Sequence, residues 1–327
     1  MSARLVGHLL RVLVAAGLTA YVLLRSHPAE VFATAANASA WYILLAVLLV
    51  LVDRVLMAFR WIALLCIVDS ASRPSQRRLV HIFLTSTFVG TFLPASVGGD
   101  AVRAFSVSRE RVSAADAVAS VFMDRMLGVA SLFVLAVPGI FLARDLAADA
   151  AVLAALAMTA AACLATMLMI FDSRVAGWYA RVAAAVPVES VHRAGQALIA
   201  SVQRYARFRS RLLAVLAASV GVQLLRVAQA YYLGRAVGIE TGPGVFLAFI
   251  PLILLIMLLP ITINALGTSQ AAFVWFFARA GVPNAPAFAL SVLFVGLGVI
   301  GNLPGALLYA SSGLPSSARR ETERLQR

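Results

Sequence analysis

Long apolar runs restrict the fold of this chain more than any other feature of its sequence. The run at residues 41–68 is interrupted by only three charged side chains, Asp53, Arg54 and Arg60. Comparable runs occupy 5–24, 114–143, 151–171, 212–237 and 287–310. The composition agrees, because 62% of the residues are hydrophobic and 13% are charged, against about 25% charged in soluble proteins. Since a membrane-spanning helix needs roughly 20 apolar residues, we predict an all-α, polytopic helical membrane protein with about six full spans.

The 27 basic residues are all arginine, and they give the chain a formal net charge of +13. In so apolar a chain, this excess is typical of positive cytoplasmic loops, and we expect no nucleic-acid partner. The histidines lack metal-ligand spacing and both cysteines lie in apolar runs, so we predict neither a metal site nor a disulfide. Nucleotide-binding loops, dinucleotide fingerprints and nucleophile elbows are missing from the sequence. We therefore expect no cofactor and no enzymatic activity.

Arginine is unevenly distributed among the loops that connect the apolar runs. Loops on one side of the predicted topology carry 18 arginines, and loops on the other side carry four. Because cytoplasmic loops of membrane proteins are enriched in Lys and Arg, the arginine-rich side is predicted to be cytoplasmic. This orientation places both termini in the cytoplasm and makes the chain a multi-pass protein of the cytoplasmic membrane.

Two apolar segments are cut short by a Leu-Pro break. The segment 79–93 has 15 residues, too few to cross a bilayer, and residues 93–103 read LPASVGGDAVR. In the second half of the chain, residues 259–267 read LPITINALG. Irregular backbone at membrane depth is tolerated only where it is buried in protein or lines a watery cavity. We therefore predict two re-entrant hairpins, and we predict that Ser113 caps the long helix that follows the first.

The two breaks occur at corresponding places in two similar stretches of the chain. A span, a Leu-Pro hairpin and a long helix ending near Pro-Gly occur at 41–143 and again at 212–310. We predict that these stretches form an inverted repeat, a plan from which many transporters are built. They belong to a single integral membrane domain, 1–327, with a connecting span and a basic cytoplasmic amphipathic segment at 144–211. A basic cytoplasmic tail occupies 311–327.

The first break ends in residues suited to binding an anion. Gly98, Gly99 and Asp100 are typical of a helix start, with Arg103 in its first turn. Free backbone N–H groups and the positive end of the helix dipole attract phosphate at such a position, and Pro94 opens the break beside it. In the alternative interpretation, Asp100 only caps the helix, the glycines permit close packing and Arg103 contacts bulk headgroups.

Several ionisable residues lie deep in the apolar runs, where charge is expensive and usually faces the bundle interior or a cavity. They are Asp53, Arg54, Asp124, Arg125 and Arg226. We interpret them as intramembrane charge pairs or gating groups; in the structural alternative they only neutralise one another. Because adjacent helical residues do not face each other, we predict that each Asp-Arg neighbour pair finds partners on other helices. Arg60 is expected to reach the headgroups instead.

The second break carries uncharged polar residues in place of the acid and the base. Pro260, Asn264, Gly267 and Gln270 form this group. Their side chains could hydrogen-bond a lipid headgroup, or they could satisfy the backbone groups that the proline frees. The glutamines of the run 212–237 are more typical of hydrogen bonds between helices.

The LPASVGGDAVR segment at 93–103 and the SVFMDRMLG segment at 120–128 resemble the lysylphosphatidylglycerol synthase transmembrane-region family. The resemblance implies a membrane domain like the flippase half of bacterial aminoacyl-phosphatidylglycerol synthases, standing alone without the synthase domain. It implies functional positions at Pro94, Gly98, Gly99, Asp100, Arg103, Asp124 and Arg125. Family members tend to carry Gly-x-Gly-x-Arg-Glu in a second motif, where this chain has NALGTSQ at 264–270. The second hairpin therefore departs from the family pattern.

These features lead to one predicted function and one alternative. The chain is predicted to flip an anionic phospholipid or a polyprenyl-phosphate-linked lipid across the cytoplasmic membrane, with membrane lipids as its partners. The alternative is a non-transporting scaffold or accessory subunit for a lipid-modifying enzyme or glycosyltransferase. An intramembrane enzyme using Asp53, Asp100 or Asp124 is disfavoured, because the sequence contains no visible nucleophile–base pair.

Overall fold

A computed structural model of the chain describes residues 17, 19–68, 74–93, 98–110, 112–142, 150–172, 174–175, 177–178, 181, 189–258 and 265–312. Helices joined by short connections account for these residues, and no strand occurs among them. The predicted all-α class is therefore confirmed.

The helices follow one another closely along the chain. In order they are α1 (Pro28–Ala36), α2 (Ala40–Val68), α3 (Gln76–Phe92), α4 (Gly98–Ser108), α5 (Ala114–Leu142), α6 (Ala150–Phe171), α7 (Glu189–Arg204), α8 (Arg209–Ala236), α9 (Pro243–Met257), α10 (Thr268–Ala278) and α11 (Asn284–Ser312). A short 3₁₀-helix, Tyr205–Phe208, joins α7 to α8. Residues 19–25 are helical as well.

Four helical stretches of the described chain are long and apolar enough to cross a membrane. They are Ala40–Ile67 in α2, Ala114–Gly139 in α5, Arg193–Ala236 through α7 and α8, and Asn284–Ala310 in α11. Shorter apolar helices cover Leu156–Phe171 in α6 and Pro243–Met257 in α9. The chain is thus a multi-pass membrane protein. The predicted span at 5–24 lies largely outside the described residues, and the total of six spans stays a prediction.

Local sequence explains where several of these helices begin and end. The Asp116 N–H donates to the Ser113 hydroxyl at 3.1 Å, so the predicted cap of α5 is confirmed. α3 ends before Leu93, which is extended (φ −85°, ψ 139°), as expected for a residue that precedes a proline. α4 begins at Gly98, where the sequence predicts a helix start. The re-entrant course of the two hairpins stays a prediction.

Each Leu-Pro break separates two helices that pack on each other. The first interrupted unit consists of α3 and α4, and the second interrupted unit consists of α9 and α10. The two units lie next to α2 and α8, which make an extensive contact with each other. α11 crosses α3 where Gly305 meets the Leu84 backbone, and α5 crosses α9 where Gly139 meets the Ala248 backbone. Each long Pro-Gly helix therefore supports the interrupted unit of the other half. An inverted repeat would produce this reciprocity, and the repeat itself stays a prediction.

The apolar composition produces a dense interior and an apolar exterior. The largest buried cluster joins α5, α8, α9, α10 and α11, with the Phe277 ring packed against those of Phe246, Phe249 and Phe273. Many large apolar side chains point outward instead, such as Leu307, which is 75% exposed. Such an exterior is expected of helices that contact lipid, because their backbone groups are already satisfied internally.

α7 lies in the predicted amphipathic segment and is joined to neighbouring helices by side-chain contacts. Val202 and Tyr205 are buried in a cluster with residues of α2, α5, α6 and α8. The Tyr205 hydroxyl donates to the Leu64 carbonyl at 3.2 Å, and Arg204 forms an ion pair with Asp116. The segment is thus anchored to α2 and α5 at its C-terminal end.

Candidate functional site

A cavity of about 380 Å³ lies between α2, α3, α4, α5, α8, α9 and α11. Eight ionisable side chains are found among its described lining residues. They are Asp53, Arg54, Arg60, Asp100, Arg103, Asp124, Arg125 and Arg226. The seven ionisable residues that the sequence predicts for a site are all among them, so the fold brings both predicted groups into one space.

One deeply buried ion pair of this cavity joins α2 to α5. An Asp124 carboxylate oxygen lies 2.8 Å from both Nε and Nη2 of Arg60. Arg60 also donates to the Ser219 hydroxyl of α8 at 3.2 Å. The Arg60 and Asp124 side chains are 5% and 3% exposed. Because loss of one partner leaves the other charge buried and uncompensated, this pair holds three helices together.

Arg103 of α4 is enclosed by two aromatic rings and two carboxylates. Its guanidinium carbon lies 5.2 Å from the ring centroids of both Trp61 and Phe83, within the range of cation–π attraction. Nη2 donates to Asp100 at 2.7 Å and lies 3.7 Å from Asp124. Arg103 is therefore a fixed positive charge in the cavity wall.

Asp100 links the first interrupted unit to α5. One carboxylate oxygen accepts a hydrogen bond from Arg103, and the other accepts from Nε of Arg125. The Arg125 side chain nevertheless remains 44% exposed. Asp100 thus neutralises an enclosed guanidinium and orients an accessible one.

A second ion-pair cluster surrounds Asp53 of α2. Nε of Arg226 on α8 donates to this carboxylate at 3.3 Å, and Nη1 of Arg54 lies 3.5 Å from it. Arg54 also donates to the Gly298 carbonyl of α11 at 3.4 Å. The prediction that the Asp-Arg neighbours find partners on other helices is confirmed. The contact of Arg54 with its own neighbour was not expected, and it is possible because the long arginine side chain can reach back.

The cavity lining has an excess of positive charge. Five arginines face three aspartates, which is a formal balance of +2 for the described lining residues. Since charge is costly at low dielectric unless it is compensated, the excess favours an anionic ligand.

The arginines that line the cavity differ in the exposed fraction of their side chains. The side chains of Arg125 and Arg226 are 44% and 24% exposed, whereas those of Arg60 and Arg103 are each 5% exposed. The accessible two come from α5 and α8. They are the two most exposed of the five lining arginines.

The glycines of the first break allow close approach of helices. A Cβ on Gly99 would lie 2.9 Å from the Ser86 carbonyl oxygen and 3.0 Å from the Gly90 Cα. A Cβ on Gly98 would lie 2.5 Å from the Cβ of Leu93. The packing interpretation therefore applies to both glycines, and Gly99 lines the cavity in addition.

The described part of the second break is organised by a cap. The Gln270 Oε1 accepts hydrogen bonds from the Gly267 N–H at 2.6 Å and from the Ser269 hydroxyl at 3.0 Å. Gln270 is 1% exposed, and neither it nor Gly267 lines the cavity. Of the two interpretations, this geometry favours satisfaction of the backbone. The predicted site positions that lie outside the described residues are Pro94, Pro260 and Asn264.

The polar lining residues that the sequence did not assign to a site include Arg60, Gln229 and Asn302. Arg60 is buried in an ion pair instead of reaching the headgroups, because an apolar run does not fix the tilt of its helix. Gln229 and Asn302 also line the cavity. The available signal for Gln229 is its three-residue spacing from Arg226, which places both on one side of α8. No comparable signal marks Asn302.

Comparison with known proteins agrees with the motifs and with the helical architecture. No curated protein gave a significant match to the chain. A family model described as the lysylphosphatidylglycerol synthase TM region matches residues 8–305. The match includes both interrupted units and every described residue of the cavity, and it supports a lipid-related role in the membrane. The chain therefore belongs to the lysylphosphatidylglycerol synthase transmembrane-region family.

Proposed function

We propose that the chain translocates an anionic, phosphate-bearing lipid across the membrane, with the headgroup passing through the charged cavity. The observation that carries this proposal is the lining of five arginines and three aspartates between seven helices. A phospholipid or a polyprenyl-phosphate-linked lipid supplies the anion that such a lining favours, since arginine binds phosphate through charge-assisted hydrogen bonds. Family membership supports a lipid as the ligand.

Arg125 and Arg226 are the proposed first contacts of the phosphate. Each is accessible, and each already donates to a carboxylate, Asp100 or Asp53. A phosphate oxygen would compete for the same guanidinium N–H groups, because arginine binds carboxylate and phosphate in similar geometry. The aspartates would thus keep the arginines oriented between turnovers. The proposed first phosphate site therefore lies on α5 and α8, whereas the sequence predicts it at the helix start 99–103.

The hydrocarbon chains of the lipid would remain outside the cavity. A volume of about 380 Å³ lies at the lower end of the roughly 300–1,000 Å³ of small-molecule pockets, which is room for a headgroup and not for a whole lipid. Phe92 at the end of α3 and Phe105 on α4 are 71% and 59% exposed. Such side chains give the tails an apolar surface to follow. The proposed passage requires no covalent chemistry by the chain.

The proposed location is the cytoplasmic membrane, with both termini in the cytoplasm. The uneven distribution of arginine between the loops supports this orientation, because positive loops are retained on the cytoplasmic side. In this orientation the first interrupted unit opens to the cytoplasm, so its charges would receive lipid from the inner leaflet.

Reconstitution into vesicles tests the proposal. Purified protein is expected to accelerate the movement of fluorescent phosphatidylglycerol, or of a polyprenyl-phosphate lipid, between leaflets. A variant with both Arg125→Gln and Arg226→Gln is expected to be at least about tenfold slower, because a hydrogen bond to a charged group contributes roughly 1.5–3 kcal/mol. Arg78→Gln is the matched control, since it removes the same charge from a half-exposed pair with Glu110 outside the cavity.

Equal rates in protein-containing and empty vesicles, with both lipids, would reject translocation. Co-purification of a stoichiometric lipid-modifying enzyme or glycosyltransferase that needs this chain for activity would then favour the accessory role. Unchanged movement in the double variant, with a functional wild type, would reject only the two arginines as first contacts.

A further inference from the structure

Two neutral amide side chains in the cavity have unused hydrogen-bonding atoms. Gln229 of α8 is 3% exposed, and its Nε2 has no hydrogen-bond partner among the described residues. Asn302 of α11 donates from Nδ2 to the Thr91 hydroxyl at 2.8 Å, whereas its buried Oδ1 accepts from no described residue. Both side chains line the cavity. Because buried polar atoms are nearly always paired, this donor and this acceptor point to a ligand.

Another glutamine on α8 provides the contrast. Gln223 donates to the Gly128 carbonyl and to the Ser131 hydroxyl, each at 3.3 Å, and it accepts from Arg226 at 3.4 Å. Both ends of its amide are therefore used within the protein, as expected for a hydrogen bond between helices. Gln229 lies further along the same helix and keeps its donor unpaired.

We infer that Gln229 and Asn302 form a subsite for hydroxyl groups of the lipid headgroup, in the same cavity as the arginines. The inference rests on the proposed function and specifies its substrate. A hydroxyl group both donates and accepts, so a polyol can pair with the amide N–H of one residue and the amide oxygen of the other. A second phosphate could pair only with the N–H, and an ammonium only with the oxygen.

The charge of the cavity sets a second limit on the headgroup. An ammonium group would add positive charge to a lining that already has a formal excess of +2, and like charges repel strongly at low dielectric. The cavity is thus suited to a phosphate ester of glycerol or of a sugar, and it disfavours an aminoethyl headgroup.

Binding of soluble headgroups tests the subsite without requiring transport. Detergent-purified protein is titrated with inorganic phosphate, glycerol 3-phosphate, glucose 1-phosphate and phosphoethanolamine. One or both of the hydroxylated esters are expected to bind at least about fivefold more tightly than inorganic phosphate, because they add hydrogen bonds to unpaired atoms. Phosphoethanolamine is expected to bind no more tightly than phosphate. The comparison of the glycerol and glucose esters identifies the source of the hydroxyls.

Substitutions that keep side-chain size and remove the amide test the two residues. Gln229→Met combined with Asn302→Leu is expected to bring the ratio of ester affinity to phosphate affinity to about one. Phosphate affinity itself is expected to stay unchanged. Gln196→Leu, on the exposed side of α7, is the matched control. Because the ratio is measured within one preparation, a smaller folded fraction does not alter it.

Equal affinity of the wild type for phosphate and for both esters overturns the subsite, as does an unchanged ratio in the double variant. In vesicles, phosphatidylglycerol or a glycosyl-phosphate lipid is expected to move faster than phosphatidic acid or phosphatidylethanolamine. If no lipid moves while the ester preference holds, the translocation proposal fails and the subsite stands. If lipids move at equal rates and the ester preference is absent, the subsite alone fails.

Discussion

The two interrupted units have similar layouts and opposite chemistry at the cavity. In the first, α3 and α4 present hydroxyl groups together with the charges of Asp100 and Arg103. The described cavity lining from the second is apolar and consists of Leu254, Met257 and Leu258. Behind those residues, α9 and α10 pack aromatic rings around Phe277.

This difference suggests that the two units divide recognition from support. The ion pairs of the first unit position charges that an anion can contact, whereas the aromatic packing of the second unit supports an apolar side of the cavity. A chain built from two similar helix pairs can therefore keep polar chemistry in one of them. Substitutions in each unit can test whether the division is real.

Loss of the Asp124 charge should lower stability most, because it removes the carboxylate from the ion pairs beside the first unit. Asp124→Asn leaves Arg60 and Arg103 enclosed with one carboxylate fewer. Breaking a buried pair costs about 3–5 kcal/mol, so we expect a sharply lower thermal unfolding midpoint in detergent. Glu110→Gln is the control, since Glu110 and its partner Arg78 are 29% and 52% exposed and exposed pairs contribute about 1 kcal/mol or less. Equal losses would contradict the role of burial.

A smaller loss of stability is expected when a glycine of the first unit is replaced by alanine, and a glycine of the second unit is the control. Gly99→Ala would press a methyl group against backbone atoms of Ser86 and Gly90, and overpacking of this kind costs about 1–3 kcal/mol. A Cβ on Gly244 in α9 meets nothing within 4 Å, so Gly244→Ala should not lower stability. Thermal unfolding of both variants measures the difference. A fully stable Gly99→Ala variant would argue against the tight crossing of α3 and α4.

The smallest loss of stability is expected for a substitution of Gln270 in the second unit. This substitution tests whether Gln270 caps a helix or contacts the ligand. Gln270→Ala removes the acceptor for the Gly267 N–H and the Ser269 hydroxyl, which should cost about 1 kcal/mol. The rate of lipid movement per folded molecule should equal that of the wild type, because Gln270 does not line the cavity. Both quantities are measured on one preparation. An unchanged midpoint with a slower rate would give the second unit a part in recognition.

Sequence alone could predict the features that depend on neighbouring residues. The helical class, the cap at Ser113, the end of α3 before Leu93 and the start of α4 at Gly98 all agree with the structure. Each follows from a local rule, such as the length of an apolar run or the restricted backbone of a residue before proline.

The partners of the buried charges could not be predicted in the same way. Asp124 and Arg60 are 64 residues apart in the chain, and Asp53 and Arg226 are 173 apart. Apolar runs do not specify which charged faces meet, because helix tilt and rotation are set by packing against neighbours. The unpaired amide of Gln229 is likewise recognisable only once the cavity is assembled.

The crossing of α3 with α11 has a consequence for biosynthesis. Gly305 meets the Leu84 backbone, although α3 leaves the ribosome long before α11 does. Helices of membrane proteins insert first and pack afterwards. The nascent α3 is therefore in the bilayer before α11 is available to pack against it. During that interval the side of α3 around Leu84 and Phe88 is open to lipid. Quality-control factors that recognise an unpacked helix face in the bilayer would therefore be able to distinguish an unfinished copy from a finished one.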